Sequence, residues 1–396
     1  MMILSSRMER LQNTELLMLM ELASSKDIIS FAGGFPSPDA FPAKEMALAT
    51  QEVFKHSSKE ALQYASTSGF EPLRQLIADR TNKKQNMTLN LEEILITSGS
   101  QQSLDMFGKL LLDEGDIVLC ESPSYIGAIN AFNAYQPEFI EVTTAEDGIN
   151  IESLKNILSL KGKDIRMIYV IPDFQNPTGR VWSLEKRKAF MAVMSAYEIP
   201  IIEDMAYYDL AYEELDRPTL SSLDKKGQVV SLGTFSKIFC PGLRIGWIQA
   251  SRLILDQIRL LKPNMDLSSS SIAQRQIYQY MMMYDLEAHI EKVNGIYKRR
   301  RDLMLDIIEG EFPKGIQYMK PKGGLFTWVE MPRGKDAKVL LELALKEKVA
   351  FVPGNSFFPK SNVPESMRIN FSCMDDSKLE KGGKILGAIM HRFLEG

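Results

Sequence analysis

Five short segments of this chain set groups capable of chemistry beside glycine or proline, or at the end of an apolar run: Ser98-Gly99-Ser100-Gln101, Glu121-Ser122-Pro123-Ser124-Tyr125, Asp173-Phe174-Gln175-Asn176-Pro177-Thr178-Gly179, Glu203-Asp204-Met205-Ala206-Tyr207 and Thr234-Phe235-Ser236-Lys237. Together they supply hydroxyls, amides, carboxylates, phenols and one amine. Gathered in one place, groups of these types would make a composite ligand-binding site. Taken singly, each segment is ordinary. Asn-Pro-Thr-Gly is a turn sequence, Ser98 to Gln101 reads as a strand end followed by a helix cap, and a lysine after a serine is usually a solvated surface residue. Their positions make them a set, because each directly follows a short apolar run.

Those runs belong to seven predicted strands, 94–97, 117–120, 138–142, 166–171, 199–203, 228–233 and 245–250, rich in Ile and Val. They alternate with helical stretches between about 44 and 284, which is the signature of a largely parallel sheet covered by helices. In an open parallel sheet the strand carboxyl ends face one crevice, so residues distant in sequence converge there on a ligand. The expected fold is therefore α/β: a large domain (44–284) with a seven-stranded, mostly parallel sheet covered by helices. A smaller α+β domain (285–396) follows, opening on a charged helical region and containing alternating segments such as Leu325-Phe326-Thr327-Trp328-Val329. Residues 1–43 form an N-terminal arm that begins with a stretch patterned as an amphipathic helix. It ends in Gly33-Gly34-Phe35-Pro36-Ser37-Pro38, too dense in Gly and Pro for regular structure.

Composition removes several classes of function. With 45% apolar and 25% charged residues the chain has the balance of a soluble globular protein. A net charge of -4 without long basic runs argues against a nucleic-acid partner. Three cysteines (Cys120, Cys240, Cys373) and three histidines (His56, His289, His391) have no metal-ligand spacing, so no metal is expected. The apolar stretch Leu16-Leu17-Met18-Leu19-Met20 is too brief for a membrane span, and the expected location is the cytoplasm.

In order and placement the five segments resemble those of the aspartate-aminotransferase-like, fold type I enzymes that use pyridoxal 5'-phosphate. The resemblance runs from about Phe31 to Phe371, carried mainly by residues 234–247 (Thr-Phe-Ser-Lys-Ile-Phe-Cys-Pro-Gly-Leu-Arg-Ile-Gly-Trp) and 173–179. Phe31-Ala32-Gly33-Gly34-Phe35-Pro36 and Leu62-Gln63-Tyr64 are similar to the branch of 2-aminoadipate, kynurenine and aromatic aminotransferases.

The resemblance implies a role for each matching residue. Lys237 would hold the cofactor as an imine and move a proton between the substrate Cα and the cofactor. Arg244, Thr234 and Ser236 would bind the phosphate with Gly99, Ser100 and Gln101 at a helix N-terminus; Thr234 stands where the family commonly has Ser. Asp204 would keep the pyridine nitrogen protonated, Asn176 and Tyr207 would bond the phenolate oxygen, and Tyr125 would stack on the ring. Arg368, within Met367-Arg368-Ile369-Asn370, would grip the substrate carboxylate beside Asn176, with Gly34 letting the arm approach closely. Tyr64 would reach the phosphate of a second subunit, making a homodimer with shared active sites. The implied reaction moves an amino group from an L-amino acid (aromatic, 2-aminoadipate-like or branched-chain) to a 2-oxo acid such as 2-oxoglutarate, with ping-pong kinetics. Two alternatives stay open. A β-lyase would use the same Lys237 and Asp204, and a cofactor-sensing regulator would carry a similar domain, although the arm before Phe31 is about half the length of a DNA-binding domain. The isomer of Asn176-Pro177 is undetermined.

Overall fold

A computed structural model describes residues 5–10 and 27–395. Of the amphipathic helix expected in the arm it includes a turn at Arg7–Arg10; the rest of that expectation lies outside the described residues. In chain order the strands are β1 (Ile29–Ser30), β2 (Ile94–Thr97), β3 (Ile117–Ser122), β4 (Glu138–Ala145), β5 (Gly148–Ile149), β6 (Ile165–Val170), β7 (Ile201–Asp204), β8 (Val229–Thr234), β9 (Gly246–Gln249), β10 (Gln317–Tyr318), β11 (Phe326–Glu330), β12 (Val349–Ala350), β13 (Val352–Pro353) and β14 (Ser366–Asn370).

All seven expected strands join one sheet, in the order β2-β9-β8-β7-β6-β3-β4-β5. The sheet has eight strands, not seven. The addition is β5, which folds back on β4 with Thr144 opposite Ile149 and Ala145 opposite Gly148. A two-residue strand leaves no apolar run to detect. Neighbours from β4 through β8 pair in parallel, whereas β9 runs antiparallel to both β8 and β2. Six strands thus share a direction. Their carboxyl ends lie at one edge, and the amino end of β9 lies at that same edge.

Both faces of the sheet are covered, which is why its strands read as continuous apolar runs. Met167, Tyr169, Ile202, Val230 and Leu232 face one core, whereas Ile168, Val170, Ile201 and Val229 face the other with Leu154, Leu158, Phe190 and Met194 from the helices Ile151–Lys161 and Leu184–Met194. A second sheet, antiparallel in the order β10-β11-β14-β13, has its own core, to which Phe31 and Ala32 of the arm belong. The arm is held there by β1, which pairs in parallel with β12. The 26-residue helix Leu286–Glu311 serves both cores: Ile290, Val293 and Tyr297 pack in the first, Met304, Ile307 and Ile308 in the second.

Candidate active site

At the shared edge the last ladder row brings Thr97, Gly246 and Thr234 side by side. Beyond it lies a cup of polar groups. Gly99 caps the helix Ser100–Leu111 at φ +82, and a Cβ there would come within 2.4 Å of Arg244 Nη2. Only glycine accommodates both the backbone and the guanidinium. Arg244 Nη1 donates to Ser236 Oγ at 3.2 Å, Thr234 Oγ1 donates to the same oxygen at 3.0 Å, and the Ser236 N–H returns to Thr234 Oγ1 at 3.1 Å. A helix N-terminus, two hydroxyls and a guanidinium around one spot suit a phosphate. Gln101 belongs to this first turn through its backbone, but its side-chain amide donates elsewhere, to the Gly127 carbonyl at 2.8 Å.

Beside the cup, β7 ends in Asp204, 3% exposed. Its Oδ2 accepts from Tyr169 Oη at 2.8 Å and its Oδ1 from the Ala206 N–H at 3.0 Å. Burial pushes this carboxyl up, opposed by those two donors and by Lys237. After β6 the chain turns through a cis Asn176-Pro177 bond. Asn176 Nδ2 donates to Tyr207 Oη at 3.1 Å, and Tyr207 meets Phe326 edge-on with centroids 5.8 Å apart. Tyr125 follows β3 and the cis Ser122-Pro123 bond, its ring so close to Gly127 that a Cβ there would fall 2.4 Å from it.

Lys237 projects from the segment after β8, and its Nζ donates to the Gly34 carbonyl at 2.9 Å. Burial, then Arg368 and Arg244, lower its pKa from 10.5 to about 8, with Asp204 opposing. Lysine chemistry near neutral pH needs a shift of that direction. A side chain at Gly34 would begin 3.0 Å from the Phe326 ring, so the arm lies as close as an unsubstituted backbone allows.

Arg368, on β14, is 6% exposed and lies between two aromatic faces, 4.3 Å from the Phe326 centroid and 5.0 Å from that of Phe357. Nη1 donates to Asn176 Oδ1 at 2.8 Å and Nη2 to the Ala32 carbonyl. A guanidinium has five N–H donors. The Nε–H is buried and has no partner among the described residues. Spare donors on a buried cation mark a place for an anion. Burial lowers Arg368 to about 10, against Tyr207 and Tyr125.

One expected site residue stands apart. Tyr64, just past the helix Ala43–Leu62, is 80% exposed and joins none of these contacts within its own chain. Two features escaped the sequence reading. Tyr169 lies inside an apolar strand, where the only signal is that a buried phenol needs a polar partner. Asp266, held by Lys262 Nζ at 2.6 Å, accepts from Ser98 Oγ at 3.0 Å and Gln102 Nε2 at 2.7 Å and so braces the loop that carries Gly99; nothing in its local sequence marks it. Among the described residues no group of His, Cys, Asp and Glu is placed to hold a metal ion, and no helix is long and apolar enough to cross a membrane.

Residues 26–385 match the family described as aminotransferase class I and II. The chain is 37% identical over 376 residues to aromatic-amino-acid aminotransferase 1 of Thermococcus litoralis, covering 94% of this chain and 90% of that protein. It superposes with a TM-score of 0.94 on Pyrococcus horikoshii kynurenine aminotransferase in complex with PMP, at 36% identity and covering 100% of this chain and 98% of that one. The α-aminoadipate aminotransferase of Thermus thermophilus, complexed with N-(5'-phosphopyridoxyl)-L-leucine, gives a TM-score of 0.92 at 35% identity, covering 99% and 98% of the two chains.

Proposed function

The chain belongs to the class I and II aminotransferases and transfers amino groups with pyridoxal 5'-phosphate as cofactor, and we propose that an L-amino acid and a 2-oxo acid, foremost 2-oxoglutarate, alternate at its site in a ping-pong cycle. Aromatic and 2-aminoadipate-like amino acids are the leading donors, supported by the names of its relatives, with branched-chain amino acids next. When bound, the cofactor supplies an electron sink for the pair released at the substrate Cα.

The observation that carries this reading is Arg368, a buried guanidinium with donors to spare, next to Asn176 and close enough to Lys237 to lower its pKa. A carboxylate held there at two points would fix the substrate's Cα–H bond relative to the lysine. Lys237 Nζ, lowered to about 8, keeps enough neutral amine near physiological pH to take the Cα proton and return it. Asp204 would face the ring nitrogen, Asn176 and Tyr207 the phenolic oxygen, and Tyr125 the ring face. Thr234, Ser236, Arg244 and the N–H groups of Gly99, Ser100 and Gln101 would hold the phosphate.

The exposed Tyr64 supports a homodimer in which each subunit lends this phenol to its partner's phosphate. The hand-over of the helix Leu286–Glu311 between two cores supports a large unit over 44–284, a small unit over 285–396 and an arm over 1–43. The cytoplasm is the proposed location. The direct test is a donor panel with 2-oxoglutarate, following glutamate formation. In parallel, each donor alone should convert the bound cofactor to its pyridoxamine form, seen by absorbance. A panel in which no amino acid does so overturns the proposal.

A further inference from the structure

The carboxylate of Asp204 does not hold its orientation unaided. On β7 the residue opposite Tyr169 is Ile202, and Asp204 is two further along, so Tyr169 and Asp204 lie on the same face of the sheet in neighbouring strands. The phenol reaches Oδ2 at 2.8 Å while the Ala206 N–H reaches Oδ1 at 3.0 Å. An ionised carboxylate offers about four acceptor positions, so two donors leave room for a third.

Tyr169 is 1% exposed, and its ring meets Phe132 edge-on with centroids 5.8 Å apart. Buried in this way, the phenol donates to Asp204 Oδ2 as its hydrogen-bond partner among the described residues. Burial and the neighbouring Asp204 push Tyr169 well above the ordinary phenol range, so it stays a donor at any working pH. Among the described residues, the other groups that influence Asp204 or are influenced by it are Lys237 and the phenols Tyr125 and Tyr207, both phenols held above their ordinary range. Around Asp204, then, Tyr169 and the Ala206 N–H are the hydrogen-bond donors among the described residues.

We propose that Tyr169 is a positioning residue for the cofactor's ring nitrogen, its hydroxyl keeping the Asp204 carboxylate ionised and aimed at the ring. This rests on the reading of Asp204 given above. Without the phenol O–H, a buried carboxyl drifts toward its neutral form. A neutral acid cannot stabilise a protonated ring nitrogen, and the ring becomes a poorer electron sink.

The test is Y169F, which removes one oxygen and keeps the ring. In the purified, cofactor-loaded enzyme two quantities are read besides turnover: the dissociation constant of pyridoxal 5'-phosphate, and the pH midpoint of the bound cofactor's visible absorption. A hydrogen bond to a charged group predicts a dissociation constant about 10- to 100-fold higher. The midpoint should move upward, because a less protonated ring draws less charge from the nitrogen of Lys237. In a D204N background the same Y169F change should add nothing to either quantity. The inference is overturned if Y169F stays within about twofold of the parent with an unmoved midpoint, or if its effect persists undiminished beside D204N. If D204N alone leaves both quantities unchanged, the assignment of Asp204 fails and this inference with it.

Discussion

Arg368 and Asn176, 192 positions apart, are joined by a 2.8 Å bond from Nη1 to Oδ1. It ties the antiparallel sheet of the second core to the turn after β6 in the first. The other end of the same amide donates to Tyr207. A substrate carboxylate at Arg368 would therefore be registered against the groups proposed to face the cofactor's phenolic oxygen.

R368K tests that registration. A lysine keeps the charge and loses the planar fork, leaving Asn176 Oδ1 or the Ala32 carbonyl without its donor. Losing part of a buried, charged hydrogen-bonded contact costs about 2–4 kcal/mol, or roughly 30- to 1,000-fold in kcat/KM. Cofactor absorbance should be retained. Steady-state kinetics at fixed acceptor concentration check the loss, and a kcat/KM within about threefold of the parent would argue against the carboxylate clamp.

The lysine makes a prediction about pH. Burial and two guanidiniums lower Lys237 from 10.5 to about 8, so the fold favours its neutral form. Between those two values an unfolded chain binds one proton more than the folded one, so this group's contribution to stability rises with pH across that window. The rate at which cofactor-free protein captures pyridoxal 5'-phosphate should follow the neutral amine, with a midpoint near pH 8. In R368Q, with one of the two cations gone, the midpoint should rise. Stopped-flow absorbance from about pH 6.5 to about pH 11, a range that spans both values, measures both midpoints.

Much of this site was legible because chemistry and architecture coincide in the chain. The runs at 94–97 and 117–120 are β-rich, each stops abruptly at polar residues, and a parallel sheet sends such stops to one edge. The resemblance then supplied roles that residue types alone left open. What stayed hidden is non-local. Tyr169 looks like one more apolar strand residue until β7, 35 positions on, places Asp204 against its hydroxyl. The carbonyls of Ala32 and Gly34, which take bonds from Arg368 and Lys237, are backbone atoms that no side-chain pattern announces. The direction of the Gln101 amide depends on where Gly127 falls.

Gly99 is the narrowest point of the proposed phosphate cup. A methyl there would sit 2.4 Å from Arg244 Nη2 on a backbone at φ +82. Backbone conformations of this type cost a non-glycine residue about 1–3 kcal/mol, and the guanidinium must also give way. G99A should therefore raise the cofactor dissociation constant by roughly 5- to 150-fold while R368K leaves it nearly unchanged. Fluorescence titration of the cofactor on both variants separates the two halves of the site.

Asp173 opens the turn that carries Asn176, and its stability role can be tested apart from catalysis. The carboxylate is 1% exposed and paired with Arg187, itself 0% exposed, at 2.9 Å, and with Arg217 at 2.9 Å. Burial alone would push Asp173 up, but the two guanidiniums outweigh it and hold the carboxyl below the usual range. A depressed carboxylate stabilises the fold above its unfolded value, near 4, and loses that contribution as pH falls through the folded value. D173N leaves a buried guanidinium short of its counter-charge, a change that costs about 3–5 kcal/mol. For a chain of this length that amounts to a fall of roughly 4–6 °C in Tm at neutral pH. The gap between parent and D173N should narrow as the pH drops below about 4, because protonation removes in the parent what the substitution has already removed. Calorimetric unfolding between about pH 3 and 7 checks both the size and the direction; a gap that stays constant through the acid limb would mean that the pair contributes packing and hydrogen bonds rather than charge.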